Sequence, residues 1–210
     1  MDPDSERAFE LANEAISAFP SRYQEHWLAS MRDKLGISGN EDGDLDLARE
    51  LLQAMHENAA DFSLTLRRLC AAAANETADG EARGLFTNPG AYDNWAARWR
   101  SRLAVVGREP DARAEAMRTV NPAFIPRNHR VEQALDAAID DGDFSPFDDL
   151  LTVLSRPYED QVAFAEYANP RPAKPGSITA QVGILPGADE RPLFAPYRCL
   201  LFWRVSPPLG

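Results

Sequence analysis

Tyr92, Trp95, Ala96, Trp99 and Leu103 fall at i, i+3, i+4, i+7 and i+11, directly behind an Asn88-Pro89 pair of the kind that opens a helix. A stripe with two tryptophans has to be covered, because each large apolar side chain taken out of water contributes about 1.5–3 kcal/mol. A helix with such a face calls for other amphipathic helices around it, and the rest of the chain supplies the pattern.

A segment from about Ser5 to Ala18 presents Ala8, Leu11, Ala12 and Ala15 and is expected to end at Pro20. Ser21 is placed to cap a second helix with Tyr23, Trp27, Leu28, Met31 and Leu35 on one side and a stop at Gly36. The polar run Gly39 to Asp44 reads as a loop. Leu45, Ala48, Leu51, Leu52 and Met55 then mark a helix, and Phe62, Leu66, Leu69 and Cys70 mark another that starts near Asp61. Ala71 to Gly80 reads as a fraying surface connection. A short helix after Pro110 runs to Val120-Asn121-Pro122, where the proline forces a bend. Val131, Ala134, Leu135, Ala138 and Ile139 predict a helix that stops near Gly142. Ser145-Pro146-Phe147-Asp148 predicts a helix start with Ser145 as the cap, and Leu150, Leu151 and Leu154 on its inner face. Glu159 to Ala168 completes the helical series.

The 210 residues fit one body and a tail rather than two folds. The net charge is −11, and because residues 171–210 carry five Lys/Arg against two Asp/Glu, residues 1–170 carry −14. Seven of the sixteen prolines also lie in those last forty residues, where no helical period survives and Leu200-Leu201-Phe202-Trp203 has no alternating partner segment. The expected division is therefore a helical region over 1–170 and an irregular, Pro-rich tail over 171–210. The acidic balance argues against nucleic acid, since displacing counterions needs a basic face. Arg67-Arg68 and the trio Arg98, Arg100 and Arg102 read instead as salt-bridged or solvated surface. No apolar run reaches membrane-spanning length, and Met1-Asp2-Pro3-Asp4 lacks the features of a signal peptide, so a cytoplasmic chain is expected. Cys70 and Cys199 show no CxxC spacing and are too few for a disulfide framework, although one pairing between them stays open.

No stretch carries a complete catalytic constellation. The glycines form neither GxGxxG nor GxxxxGK[ST], and of the two lysines, Lys34 sits at a helix end where the helix dipole favours a cation. His56-Glu57-Asn58 lacks the second histidine one turn on that zinc would need. His26, His56 and His129 are scattered. The acidic clusters Glu41 to Asp46 and Asp140 to Asp149 have their glycines in the wrong places for a calcium loop, and helix N-terminal charge accounts for them. No GxSxG elbow is present. Catalytic, cofactor-binding and metal-binding residues are all expected to be absent from this chain, and an independent metal-dependent hydrolase is the weakest reading.

Four colinear stretches nevertheless resemble one family. They are Met55-His56-Glu57-Asn58-Ala59-Ala60-Asp61-Phe62-Ser63-Leu64-Thr65-Leu66-Arg67-Arg68-Leu69, Asn121-Pro122-Ala123-Phe124-Ile125-Pro126-Arg127-Asn128, Gly142-Asp143-Phe144, and Arg156-Pro157-Tyr158-Glu159-Asp160-Gln161. Together with the Asn94-Trp95-Ala96-Ala97-Arg98-Trp99 helix they look like the selenoprotein O-like protein adenylyltransferases, over residues 1 to about 176. The resemblance implies the C-terminal helical part of a protein-kinase-like fold, belonging to nucleotidyltransferases that move AMP from ATP to protein hydroxyl groups with Mg²⁺ or Mn²⁺. The family's nucleotide loop, ATP lysine, catalytic aspartate and metal-binding pair precede the part resembled, so none is carried onto a residue here. Ser177 to Gly210 stands where a short Phe-Cys-Gly-Thr-like ending is usual and reads as an out-of-frame extension; Cys199 does not match the family cysteine. Two expectations follow: a C-terminal fragment inactive alone, or a non-catalytic interaction module that docks on a separately encoded kinase-like part or binds another partner, through the Trp95/Trp99 stripe if it is left exposed.

Overall fold

The computed structural model describes residues 3–105 and 107–171. Eight α-helices follow one another: Pro3–Leu35 (α1), Asp44–Glu57 (α2), Phe62–Ala74 (α3), Asp79–Arg83 (α4), Pro89–Val105 (α5), Pro110–Val120 (α6), Asn128–Asp136 (α7) and Ser145–Ser155 (α8). Single 3-10 segments lie at Glu76–Ala78 and Val162–Ala168, and a π-helical turn at Ala137–Asp141 extends α7. Among the described residues there is no strand, so the mainly α class holds. The expected irregular tail lies almost wholly outside the described residues.

The tryptophan stripe is the centre of the core. Tyr92, Trp95, Ala96, Trp99 and Leu103 are all buried, and the rings of Trp95 and Trp99 stack at 5.3 Å. Each indole N–H ends on a backbone carbonyl: Trp95 Nε1 donates to Leu47 O and Trp99 Nε1 to Leu35 O, both at 2.9 Å. Burying an indole leaves its N–H to be satisfied, and these two bonds fix α5 against α2 and the end of α1. Leu47, Ala48, Leu51, Leu52 and Met55 of α2, and Leu66, Leu69, Cys70, Ala72 and Ala73 of α3, close round the stripe.

Helix α1 ends in the closure expected at Gly36. Gly36 sits at φ +66°, Ile37 N donates to Arg32 O and Gly36 N to Asp33 O, which is the paired bonding of a Schellman motif. A Cβ on Gly36 would lie 2.6 Å from Met117 Sδ and 2.8 Å from Arg113 Cγ. Gly36→Ala combines a left-handed backbone with an overlap against α6, and urea denaturation is expected to show a loss of about 1–3 kcal/mol.

Besides Tyr23, which is exposed, and Glu159 to Ala168, where only the 3-10 segment Val162–Ala168 forms, the structure departs from the sequence expectations in several places. First, Pro20 does not end a helix: α1 runs unbroken through it. Proline's fixed φ is itself helical, and the Ile16 carbonyl that loses its N–H donor lies among exposed residues where water can serve it. Ser21 is therefore an interior residue and not a cap. Second, Ala8, Leu11, Ala12 and Ala15 cover nothing within the described fold and are exposed. Third, Ala71 to Gly80 is no loose connection, since α3 continues to Ala74 with Ala72 and Ala73 buried and α4 begins at Asp79. Fourth, α8 is not capped by the Ser145 side chain; Asp143 Oδ1 accepts the Ser145 N–H at 2.9 Å. Fifth, Leu151, Leu135 and Ile139 face outward, and Leu150 and Val153 take the inner positions of α8.

Candidate functional site

Three of the four stretches that carry the family resemblance are far apart in sequence and meet in space; Gly142-Asp143-Phe144 makes only local bonds, and Phe144 is exposed. Asp61 is the N-cap of α3, with Oδ1 accepting Leu64 N at 2.8 Å. Its carboxylate also takes a two-pronged bond from Arg127, Nη1 to Oδ2 at 2.9 Å and Nη2 to Oδ1 at 3.0 Å. Six residues along, Arg67 Nη1 of α3 donates to Asn121 O at 3.0 Å and Nη2 to Asp160 Oδ1 at 2.7 Å. Ala123 N and Phe124 N both donate to Pro157 O. Gln161 Nε2 closes the end of α8 by donating to Val153 O and Arg156 O. Stretches 55–69, 121–128 and 156–161 thus form one polar seam, with guanidinium groups bridging backbone and carboxylate in the geometry to which arginine is suited.

Electrostatically the seam is spent. Burial alone would push the Asp61 carboxyl up, but the hydrogen bonds from Arg127 and from the Leu64 and Ser63 amides, with the Arg127 charge, bring it below the ordinary carboxylate range. It stays ionised and paired, which suits a structural anchor and not a proton carrier. Below the seam Asn121 is fully buried, donating Nδ2 to Lys34 O at 2.8 Å and to Cys70 Sγ at 3.7 Å. The Cys70 thiol is pushed up by burial, against the smaller pull of Asn121, Arg67 and Arg118, so it is a poor nucleophile. Lys34 Nζ is taken by Val120 O at 2.7 Å, and its burial lowers the ammonium's pKa.

A second polar centre lies inside the core. The Asp44 carboxylate in the first turn of α2 bridges Arg32 Nε of α1 and Arg102 Nε of α5, each at 2.6 Å, and Glu41 N adds a bond at 3.1 Å. Burial would raise Asp44, yet these partners outweigh it and hold the acid low. A third group joins Arg100 and Tyr92 of α5 to Asp79 at the start of α4.

The basic residues read from sequence as salt-bridged or solvated surface are ion-paired, Arg67 with Asp160, Arg68 with Glu81, Arg98 with Glu50, Arg100 with Asp79 and Arg102 with Asp44, but the Arg67 and Arg102 side chains are largely buried and not surface. His26 on α1, His56 on α2 and His129 on α7 do not combine into a metal cluster, and among the described residues no group of three or more His, Cys, Asp or Glu could hold a metal ion. His129 is lowered by burial first and then by Arg130, Arg171 and Arg127. Of the acidic clusters, helix N-terminal charge accounts for Asp46 in the first turn of α2 and Asp148 in that of α8; it does not account for Asp44, which is the buried partner of Arg32 and Arg102, nor for Asp140 and Asp141, which lie in the π-helical turn that extends α7. Sequence reasoning passed over the roles of Asp61, Asn121, Arg127 and Asp160; the only signal for them was their place inside the family-like stretches. No helix among the described residues is long and apolar enough to cross a membrane.

The family model described as protein adenylyltransferase SelO matches residues 8–155. The chain is 51% identical over 170 residues to the protein nucleotidyltransferase YdiU of Rhizobium johnstonii, covering 81% of this chain and 34% of that protein. It is 51% identical over 181 residues to the Rhizobium meliloti protein of the same name, covering 86% and 36%. It is 46% identical to the Nitrobacter hamburgensis protein, covering 86% and 35%. The chain spans about a third of the length of these relatives. On the match over 8–155 and these identities, the chain belongs to the SelO protein adenylyltransferase family.

Proposed function

We propose that this chain is the C-terminal helical part of a SelO-type protein adenylyltransferase, and that it supports a kinase-like part without itself transferring AMP. The observation that carries the reading is the length of the match, most of this chain against a third of each relative. The state of the polar groups supports it. Asp44, Asp61 and Asp79 are each engaged by arginine, and Lys34 is committed to a helix-end carbonyl. These four groups are thus committed to structural bonds rather than to phosphate or metal. In the family reaction a protein hydroxyl attacks the α-phosphorus of ATP and pyrophosphate leaves, with a divalent cation neutralising the phosphates. On this reading ATP and Mg²⁺ or Mn²⁺ are bound by the kinase-like part, in the cytoplasm, and residues 171–210 are an appended tail.

The test is direct. The purified 210-residue chain, given labelled ATP, Mg²⁺ or Mn²⁺ and an acceptor protein, is expected to leave the acceptor unlabelled. Robust labelling, or a rise in melting temperature on adding ATP and metal, refutes the reading. A non-catalytic interaction module is the second reading. Trp95 and Trp99 cannot serve it, because both are buried; the exposed apolar side of α1 favours it instead.

A further inference from the structure

Residues Ser5 to Phe19 of α1 are all exposed, and they include Phe9, Ile16 and Phe19 at 68%, 70% and 60%. With Ala12 these residues recur at alternating three- and four-residue steps, the spacing of a continuous helical seam. Fifteen residues of helix standing clear of a fold are marginal in water on their own, and three large apolar side chains on one line form a patch that a soluble surface rarely leaves open. The stripe, from Phe9 to Phe19, lies inside the family match that starts at residue 8, so it belongs to the family-like part of the chain. The relatives are about three times the length of the matched segment. A second copy is a poor occupant, because residues 1–170 carry −14 and the stretch itself bears Glu6, Glu10 and Glu14 against Arg7.

We infer that the Phe9–Ile16–Phe19 face of α1 is the surface that docks against the remaining two-thirds of a family protein, in an apolar groove that buries these three side chains. This rests on the reading of the chain as one part of a larger enzyme. It is tested in a full-length chimera in which this chain replaces the 181-residue matched segment of the Rhizobium meliloti relative. The chimera is expected to unfold in one transition, and I16D/F19D to lower its melting temperature by about 5 °C or more. The same pair in the isolated chain is expected to leave melting unchanged. If the double variant gives no soluble chimera, Phe19→Ala is read in its place with the same expectation in a smaller degree. Three results overturn the inference: a chimera that melts in two independent steps, an I16D/F19D chimera that melts within about 1 °C of its parent, or a drop in the isolated chain, which would mean that this chain or a second copy already covers the stripe. AMP transfer by the chimera is scored separately. A chimera that depends on the stripe yet transfers no AMP refutes the functional reading and leaves the docking surface standing.

Discussion

Trp99→Ala is expected to destabilise the chain by about 3–5 kcal/mol, the range for removing a large aromatic from a close-packed core. Against a total stability of about 5–15 kcal/mol for a domain, that is enough to leave a measurable unfolded fraction at 37 °C. The size follows from three losses at one position. Trp99 is fully buried, it stacks on Trp95 at 5.3 Å, and its indole N–H is the partner of the Leu35 carbonyl at the end of α1. Trp99→Phe separates these terms. It keeps most of the ring and leaves the Leu35 carbonyl without its indole donor, so a loss of about 1–3 kcal/mol is expected. Urea unfolding followed by far-UV circular dichroism reads both; a Trp99→Ala midpoint equal to that of Trp99→Phe would show that the ring contributes nothing beyond the hydrogen bond.

The central place of this residue in the fold is legible in the amino-acid order alone, and for a physical reason. Helical periodicity is a local signal, and a stripe of Tyr92, Trp95, Trp99 and Leu103 has no alternative covering that keeps it dry. The same logic locates α2, α3 and α5. It fails for α1 because Pro20 is weighed by the hydrogen bond it deletes, whereas in an exposed stretch water replaces that bond and the helix continues. The inner face of α8 is misplaced by one position for a related reason: Leu150 and Leu151 are equally apolar, and only the neighbouring helix decides which is buried.

The polar seam is illegible for a different reason. Arg127 meets Asp61 across 66 residues and Arg67 meets Asp160 across 93. No periodicity links such pairs, so composition and spacing say only that the arginines are ion-paired somewhere. Resemblance picks out the right stretches without saying why they belong together. Their arrangement supplies the physical reason: each contributes one part of a seam that joins α3, the bend after α6 and the segment after α8. Asp61, Arg67, Asn121, Arg127, Asp160 and Gln161 are thus accounted for by what holds the chain together.

Asp44 offers the second large effect and the sharpest dependence on pH. Its side chain is wholly buried between Arg32 and Arg102, which are themselves 17% and 10% exposed. Asp44→Ala leaves two guanidinium groups facing each other in the core, and a loss of about 3–5 kcal/mol at pH 7 is expected. The carboxyl's folded pKa lies below its unfolded value, so its contribution is complete above the unfolded value of about 3.9 and is lost as pH falls through the folded one. Asp61 acts in the same direction, and His129, also lowered, favours the folded state only while neutral. The parent chain should therefore lose stability steeply below about pH 4, whereas Asp44→Asn should start lower at neutral pH and show a shallower acid limb. Stability measured by urea titration from neutral to strongly acid pH decides it: parallel acid limbs would mean that Asp44 is not the group whose protonation loosens α1, α2 and α5. Replacing Arg32, Asp44 and Arg102 together by Met, Leu and Met removes every charge at once. That triple variant should recover most of the lost stability, because the cost in Asp44→Ala comes from stranded charge and not from a missing attraction.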